Sequence, residues 1–292
     1  MAAMATGGNC YVFREWSPSK TVENVDVVRA VYVLTTAPVD GMTQRLRDAL
    51  EQLSLVSISP TVFVVFNQTY KTCHKPELCH HTSIYDLEDA NRHIAQHAQE
   101  HFPGKSICIM EDDFMWTDAS IVVPHLEHVR DFVEANKQDM DHYSLGSLPI
   151  PFMVYPAACN LRHHRILQAG WSQSMLHTPR ALDKIVSRPR CAMDQLEDPG
   201  IDTLYFAQDV TYMYFRPLTV QHITETENKK EWGKTVGAKL AVWHLVGHWK
   251  MDTESRPGTH YVYVMAYLVP VLVVFLAILL VVKCIHWKKR KR

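Results

Sequence analysis

The sequence predicts an α/β protein in which a mainly parallel sheet is wrapped by helices. Short apolar runs of the kind that form buried strands alternate along the chain with longer segments whose apolar residues recur at helical spacing. That alternation is typical of parallel strands joined by helices. The 292 residues, 47% of them hydrophobic, are enough for one sizeable domain with appendages.

Each predicted element follows from its local pattern. The strands are expected at 27–35 (VVRAVYVLT), 61–66 (TVFVVF), 106–110 (SICIM) and 212–221 (YMYFRPLTVQ), the last interrupted by Pro217. Helices are expected at 43–53, 86–102, 117–135 and 179–186. The first of these places Leu46, Leu50 and Leu53 on one face, and the last begins with a proline at its first position.

The third predicted strand ends in three consecutive carboxylates, Glu111, Asp112 and Asp113. Adjacent like charges repel one another unless a cation neutralises them, and open α/β sheets bind their ligands where strands end. Mn²⁺ and Mg²⁺ prefer oxygen ligands and leave positions for substrate phosphates. The motif therefore predicts a metal site with Asp112 and Asp113 as ligands, and the alternative is a solvated acidic turn.

Three blocks of sequence resemble glycosyltransferases of the GT-A fold, and most closely family 25, the lipopolysaccharide-type and procollagen galactosyltransferases. The blocks are VYVLTTAPVDGMTQRLRDAL, SICIMEDDF, and GWSQSMLHTPRALDKIV followed by IDTLYFAQDVTYMYFRPLTVQH. Their order and spacing agree with the family over residues 27–225, although Thr35-Thr36 stands where the family usually has Asn-Leu. The resemblance implies a nucleotide-sugar-binding, Rossmann-type sheet with helices on both faces.

The resemblance also implies a reaction, the inverting transfer of a sugar from a nucleotide-sugar donor, such as a UDP-sugar, to a hydroxyl of a glycan or protein. It implies Mn²⁺ or Mg²⁺ as cofactor and donor contacts from Thr35, Arg45 and Glu111. GT-A enzymes often take a further metal ligand from a C-terminal histidine, for which His244 is the candidate and His248 the alternative. A catalytically inactive binding module and an unrelated metal-dependent α/β hydrolase are the competing hypotheses.

The inverting reaction needs a carboxylate that takes the proton of the acceptor hydroxyl. Acidic candidates cluster in the stretch MDQLEDPGID. Asp202 matches the family's acid by position, and Glu197 with Asp198 is the alternative.

Charge and hydropathy predict the partners of the chain. Residues 283–292 hold six Lys or Arg and no acid, so the rest of the chain has 24 basic against 31 acidic residues. An acidic domain is a poor partner for a polyanion, and we expect no nucleic-acid binding.

Residues 261–282 carry no charge and precede the basic tail, which predicts a single membrane-spanning helix that anchors the C-terminal end.

The predicted domains are an N-terminal arm (1–26), a glycosyltransferase-like catalytic domain (27–225), a juxtamembrane helix and linker (226–260), the transmembrane helix (261–282) and the basic tail (283–292).

Two features of the sequence disagree about the compartment of the catalytic domain. The positive-inside rule keeps the tail in the cytosol and places the catalytic domain in a lumen. The first twenty residues show no signal-like apolar run, and the odd number of scattered cysteines favours reduced thiols. We therefore expect a cytosolic domain, with a lumenal one as the alternative.

Overall fold

The computed structural model describes residues 10–18, 23–117, 119–149, 153–157, 160–170, 172–196, 200–221, 268–269 and 271–283. The strands are β1 (Tyr11–Trp16), β2 (Glu23–Asn24), β3 (Ala30–Thr35), β4 (Val56–Ser57), β5 (Val62–Asn67), β6 (Ile107–Glu111), β7 (Phe114–Trp116), β8 (His142–Ser144), β9 (Leu148–Pro149), β10 (Val154–Ala157), β11 (Asn160–Ile166), β12 (Ala169–Gly170), β13 (Ser174–His177), β14 (Thr211–Tyr214) and β15 (Thr219–Gln221). The α-helices of the same region are α1 (Gln44–Leu55), α2 (Ser83–His101), α3 (Ala119–Asn136), α4 (Pro179–Ser187) and α5 (Ile201–Ala207), and a 3₁₀ turn covers Ala192–Gln195.

The central element is a nine-stranded sheet in the order β1-β5-β3-β6-β13-β8-β14-β11-β10. Strands β5, β3 and β6 are parallel to one another, and β14 is parallel to β8. The remaining neighbours pair antiparallel. The α/β class is confirmed, but the expected mainly parallel sheet is wrong. Parallel neighbours need a crossover of a dozen or more residues, and the later strands, such as β10 and β11, include pairs joined by much shorter connections.

Helices cover both faces of this sheet, because the central strands are buried on both sides. On one face, α1 and α3 pack against Val31 and Val33 of β3 through a core that includes Leu46 and Leu126. On the other face, α2, α4 and α5 pack against the alternate residues of β3 through side chains that include Ala90, Ile94, Leu182 and Phe206. Alternating burial along one strand places one apolar layer on each side of the sheet.

The segment expected as an N-terminal arm contributes an edge strand. Strand β1 pairs antiparallel with β5 over its whole length.

Two disulfides form in the described part of the chain. One joins Cys10, next to β1, to Cys73, and the other joins Cys79 to Cys191. Of the described cysteines only Cys108, which is buried, is a free thiol. The expectation of mostly reduced thiols is therefore wrong for this part of the chain, because the paired cysteines are 63 and 112 residues apart and their spacing does not reveal the pairing.

Part of the predicted membrane anchor falls within the described residues. Residues 268–269 and 271–283 are helical, and the large apolar side chains from Val271 to Val282 are exposed. In the portion of the chain that the structure describes, no helix combines the length and the apolar character needed to cross a membrane. The predicted juxtamembrane segment, 226–260, lies outside the described residues.

Candidate functional site

A polar pocket of about 110 Å³ opens where the three parallel strands end. Strands β3, β5 and β6 run in the same direction, so their carboxyl ends meet at one edge of the sheet. The pocket is lined by Leu34, Thr35, Thr36, Arg45, Asn67, Thr69, Tyr70, Ser83, Asp86, Leu87, Glu111, Asp112, Asp113 and Gln221. We call it the donor pocket below, after the nucleotide-sugar donor that the sequence resemblance implies.

The acidic motif forms one wall of the donor pocket, where Arg45 pairs with two of its carboxylates. The Nη2 of Arg45 lies 2.6 Å from Oδ1 of Asp112 and 3.1 Å from Oδ2 of Asp113. The hydroxyl of Thr35 donates to Oδ2 of Asp112 at 2.6 Å, and the amide of Gln221 donates to Oδ2 of Asp113 at 2.9 Å. Both aspartates are buried, so these donors offset charge that water does not solvate.

One positive charge does not neutralise the whole motif. Burial raises the pKa of Asp113 to about 6, although the Arg45 guanidinium and the Gln221 amide oppose that shift. Burial, followed by the charges of Asp113, Asp202 and Asp112, raises the pKa of Glu111 well above its usual range. The acidic motif therefore holds more carboxyl groups than Arg45 alone can balance.

A buried polar network borders the donor pocket through Asn67 and Asp86. The ammonium of Lys75, only 4% exposed, donates to Asn67, Asp86 and the hydroxyl of Tyr11. The amide of Asn67 donates to Asp86 at 3.3 Å. These contacts bury the asparagine of the sequon Asn67-Gln68-Thr69, so its side-chain nitrogen is not accessible to a glycan-transferring enzyme in the folded protein.

The carboxylates of the acidic motif offer one free oxygen to the metal ion that the resemblance implies. Three of the four carboxylate oxygens of Asp112 and Asp113 accept from protein donors, but Oδ1 of Asp113 is buried without a hydrogen-bond partner among the described residues. That free oxygen and the surplus of carboxyl groups fit a hard divalent cation. Within the described residues no group of three or more His, Cys, Asp or Glu side chains is already arranged to hold one. The third ligand expected from the sequence, His244, lies outside the described residues.

The structure brings most of the predicted site residues together. Thr35, Arg45, Glu111, Asp112 and Asp113 all line the donor pocket. Asp202 lies in the first turn of α5, near enough for its charge to raise the pKa of Glu111. Glu197 and Asp198 fall outside the described residues.

Sequence reasoning missed two parts of the pocket. Gln221 was expected only as the end of a strand, and it reaches Asp113 because β15 pairs with β7, the strand that follows the acidic motif. Asn67 and Asp86 were not identified, although the polar residue that ends the apolar run of β5 was a usable signal.

Comparisons with known proteins give no family assignment. No family model matches the chain, and no curated protein matches it. The fold is distantly similar to the crystal structure of A197 from STIV, at 12% identity and a TM-score of 0.39 over 68% of this chain and 87% of that one. It is also similar to a putative glucose-1-phosphate thymidylyltransferase from Bacillus anthracis, at 12% identity and a TM-score of 0.31 over 66% of this chain and 86% of that one. Both TM-scores are below 0.5, so neither likeness supports an inference about function, and the resemblance to family 25 stays a prediction.

Proposed function

We propose that this protein is a glycosyltransferase that binds a nucleotide-sugar donor, such as a UDP-sugar, in the donor pocket and transfers the sugar to a hydroxyl of a glycan or protein. The observation that carries the proposal is the pocket itself, in which Arg45 and the acidic motif meet at the carboxyl edge of three parallel strands. A guanidinium beside carboxylates suits a diphosphate that arrives with a metal ion, because each charge of the ligand then has a partner.

Asp112 and Asp113 are the residues that would hold Mn²⁺ or Mg²⁺ in this proposal. When bound, such an ion would offset the negative charge that develops on the departing nucleoside diphosphate. Arg45 binds the phosphates, and Thr35 and Gln221 fix the two aspartates through their hydrogen bonds. Asp202 is the proposed acceptor of the hydroxyl proton, and Glu197 with Asp198 remains the alternative.

The proposal includes a membrane anchor at 261–282, supported by the uncharged sequence and by the exposed large apolar side chains from Val271 to Val282. One disulfide lies within the proposed catalytic domain and the other ties Cys10 to it, and both favour an oxidising compartment for that domain. That location agrees with the positive-inside rule, which keeps the basic tail in the cytosol. We therefore propose a lumenal or extracellular catalytic domain in place of the cytosolic domain favoured by the sequence.

The proposal is tested by the thermal stability of the full-length protein with UDP, with Mn²⁺, and with both. A ligand that binds only the folded state raises the melting temperature by mass action. We expect UDP with Mn²⁺ to stabilise the protein and EDTA to remove most of that shift. No shift with UDP, GDP or other nucleoside diphosphates under any of these conditions would contradict the proposal.

Two arginine variants on helix α1, one inside the pocket and one exposed, test the role of Arg45. Arg45→Met removes one charge-assisted contact to the diphosphate, so we expect UDP affinity to fall about 10-fold to 100-fold. Arg47→Met changes an exposed arginine on the same helix and should leave the affinity unchanged. Equal UDP affinity in the two variants would remove Arg45 from the site, provided that circular dichroism shows both to be folded.

A further inference from the structure

Two buried histidines form a hydrogen-bonded chain with Asp209. His142 of β8 and His177 of β13 are fully buried, and their Nδ1 atoms lie 2.9 Å apart. The Nε2 of His142 lies 2.9 Å from Oδ2 of Asp209. The chain of hydrogen bonds therefore runs from the carboxylate through one ring to the other, and its partners fix where each proton lies.

Asp209 fixes the first proton because it is ionised. Burial alone would raise the pKa of Asp209, but the hydrogen bond from His142 and the nearby Arg188 guanidinium outweigh burial and hold the pKa well below the usual range. Lys184 and Arg188 also donate to this carboxylate. A carboxylate only accepts hydrogen bonds, so Nε2 of His142 carries a proton.

The second proton follows from the neutral state of His142. Burial lowers the pKa of His142 in spite of its contact with Asp209, so at neutral pH the ring has one proton, and that proton is on Nε2. Its Nδ1 is then an acceptor, and the hydrogen bond between the two rings requires the proton to sit on Nδ1 of His177. Burial lowers the pKa of His177 well below its usual range as well, which leaves its Nε2 as a bare lone pair.

That lone pair belongs to a ring that lines a small recess next to the donor pocket. The Nε2 of His177 is buried without a hydrogen-bond partner among the described residues. The recess measures about 10 Å³, room for one water molecule, and is also lined by Asn91, Glu111 and Tyr205. Glu111 lines the donor pocket too, so the recess lies directly behind that pocket. A buried acceptor without a partner is costly, and a water molecule here would satisfy it.

We propose that His177 is a positioning residue of the donor pocket, held by His142 and Asp209 as its Nδ1–H tautomer so that Nε2 accepts a hydrogen bond from a single water molecule that also contacts Glu111. The water molecule connects the buried chain to the carboxyl group of Glu111. Through it, His177 fixes the orientation of Glu111 toward the donor. This role rests on the proposed function, whereas the tautomer is a property of the folded protein alone.

The tautomer is tested by nuclear magnetic resonance of the full-length protein with nitrogen-15-labelled histidine at neutral pH. Two-bond nitrogen–proton correlations distinguish the two neutral tautomers from the imidazolium. The signals lost in His177→Gln should show the Nδ1–H pattern, and those lost in His142→Gln should show the Nε2–H pattern. A His177 ring found as the Nε2–H tautomer or as an imidazolium would overturn the inference.

The positioning role is tested by comparing turnover with nucleotide binding. His177→Phe removes the acceptor, and we expect kcat for sugar transfer or donor hydrolysis to fall about tenfold, the size of one lost hydrogen bond. His177→Gln keeps a donor and an acceptor and should recover most of that loss. UDP should still stabilise all these variants, because Arg45, Asp112 and Asp113 are unchanged in them and His177 does not line the donor pocket.

His164→Phe is the control, since His164 is a buried histidine that lines neither the recess nor the donor pocket. Equal turnover in His177→Phe and His164→Phe would overturn the positioning role. If UDP does not bind the wild type at all, the proposed function fails while the tautomer assignment is still decided by the resonance experiment.

Discussion

At the scale of the residue, individual side chains determine how far the negative charge of the acidic motif is compensated. Arg45 lies between Asp112 and Asp113, Thr35 and Gln221 complete their hydrogen bonds, and Oδ1 of Asp113 has no partner among the described residues. Each buried carboxylate thus has some compensation, but the motif as a whole is left acidic. This balance favours a ligand that brings its own cation, as a metal-bound nucleoside diphosphate does.

Asp202→Asn tests the proposed acceptor of the hydroxyl proton. The change removes the base and keeps the shape, so we expect UDP affinity to stay within about twofold of wild type while kcat falls about 10²-fold to 10⁴-fold. Turnover of a UDP-sugar and thermal stability with UDP measure the two effects. Asp139→Asn, at an exposed position, is the control. Normal turnover in Asp202→Asn would transfer the role to Glu197 or Asp198.

His164 makes a prediction about pH and stability. Burial lowers the pKa of His164 to about 4, from a value of 6.5 expected in the unfolded chain. Between these two values the unfolded state binds the proton and the folded state does not, so the free energy of unfolding falls as the pH drops from 6.5 toward 4. His164→Gln should show a weaker loss over this window, measured by urea unfolding. The exposed His74→Gln should match the wild type, and an identical pH dependence in both variants would contradict the burial argument.

At the scale of the elements, the site depends on the pairing of two strands that are about 100 residues apart in sequence. Strand β15 pairs with β7 and carries Gln221 to the acidic motif. Its first residue passes very close to Gly146, where an added Cβ would lie 2.1 Å from the carbonyl oxygen of Thr219. A side chain at this position therefore pushes against the backbone of β15.

Gly146→Ala should displace β15 and weaken the site. We expect a loss of about 1–3 kcal/mol in the free energy of unfolding, the usual cost of overpacking, and a lower UDP affinity because Gln221 moves with the strand. Gly170→Ala is the matched control, since an added Cβ there meets nothing within 4 Å. Urea unfolding and thermal stability with UDP measure both effects. Equal stability of the two variants would show that the close approach of Thr219 to Gly146 does not restrict which residue can occupy position 146.

At the scale of the whole molecule, two long-range disulfides and a basic C-terminal tail bear on topology. The disulfides join segments 63 and 112 residues apart, and such bonds persist in oxidising compartments. The tail is predicted to stay in the cytosol. Both features favour the orientation proposed above, with the globular domain across the membrane from the tail.

Protease treatment of sealed vesicles with the cytosolic face outward tests this orientation. We expect the catalytic domain to be protected and an epitope on the basic tail to be removed. Alkylation without a reductant should leave the four cysteines of the two disulfides unmodified. Digestion of the domain, together with four reactive cysteines, would restore the cytosolic topology. Glycosylation at Asn67 is not a usable reporter, because its amide is buried against Asp86.

The sequence by itself determined the local elements. Apolar periodicity located β3, β5 and β6 and the helices α1 to α4, because burial of one helix face or of a whole strand leaves a short-range pattern. The same reasoning found the acidic motif and predicted that it lies at the edge of the sheet. Arg45 and Thr35 came from a resemblance to a known family, and the structure places both beside that motif.

Only the tertiary structure decided which distant segments meet. The pairing of β13 with β6, the two disulfides, the contact of Gln221 with Asp113, and the chain from Asp209 to His177 all join residues far apart in sequence. Strand order and side-chain pairing depend on the packing of the whole core, and the short-range periodicity of the sequence does not specify that packing. The proton positions on His142 and His177 follow the same rule, since burial and a partner carboxylate 67 residues away set them.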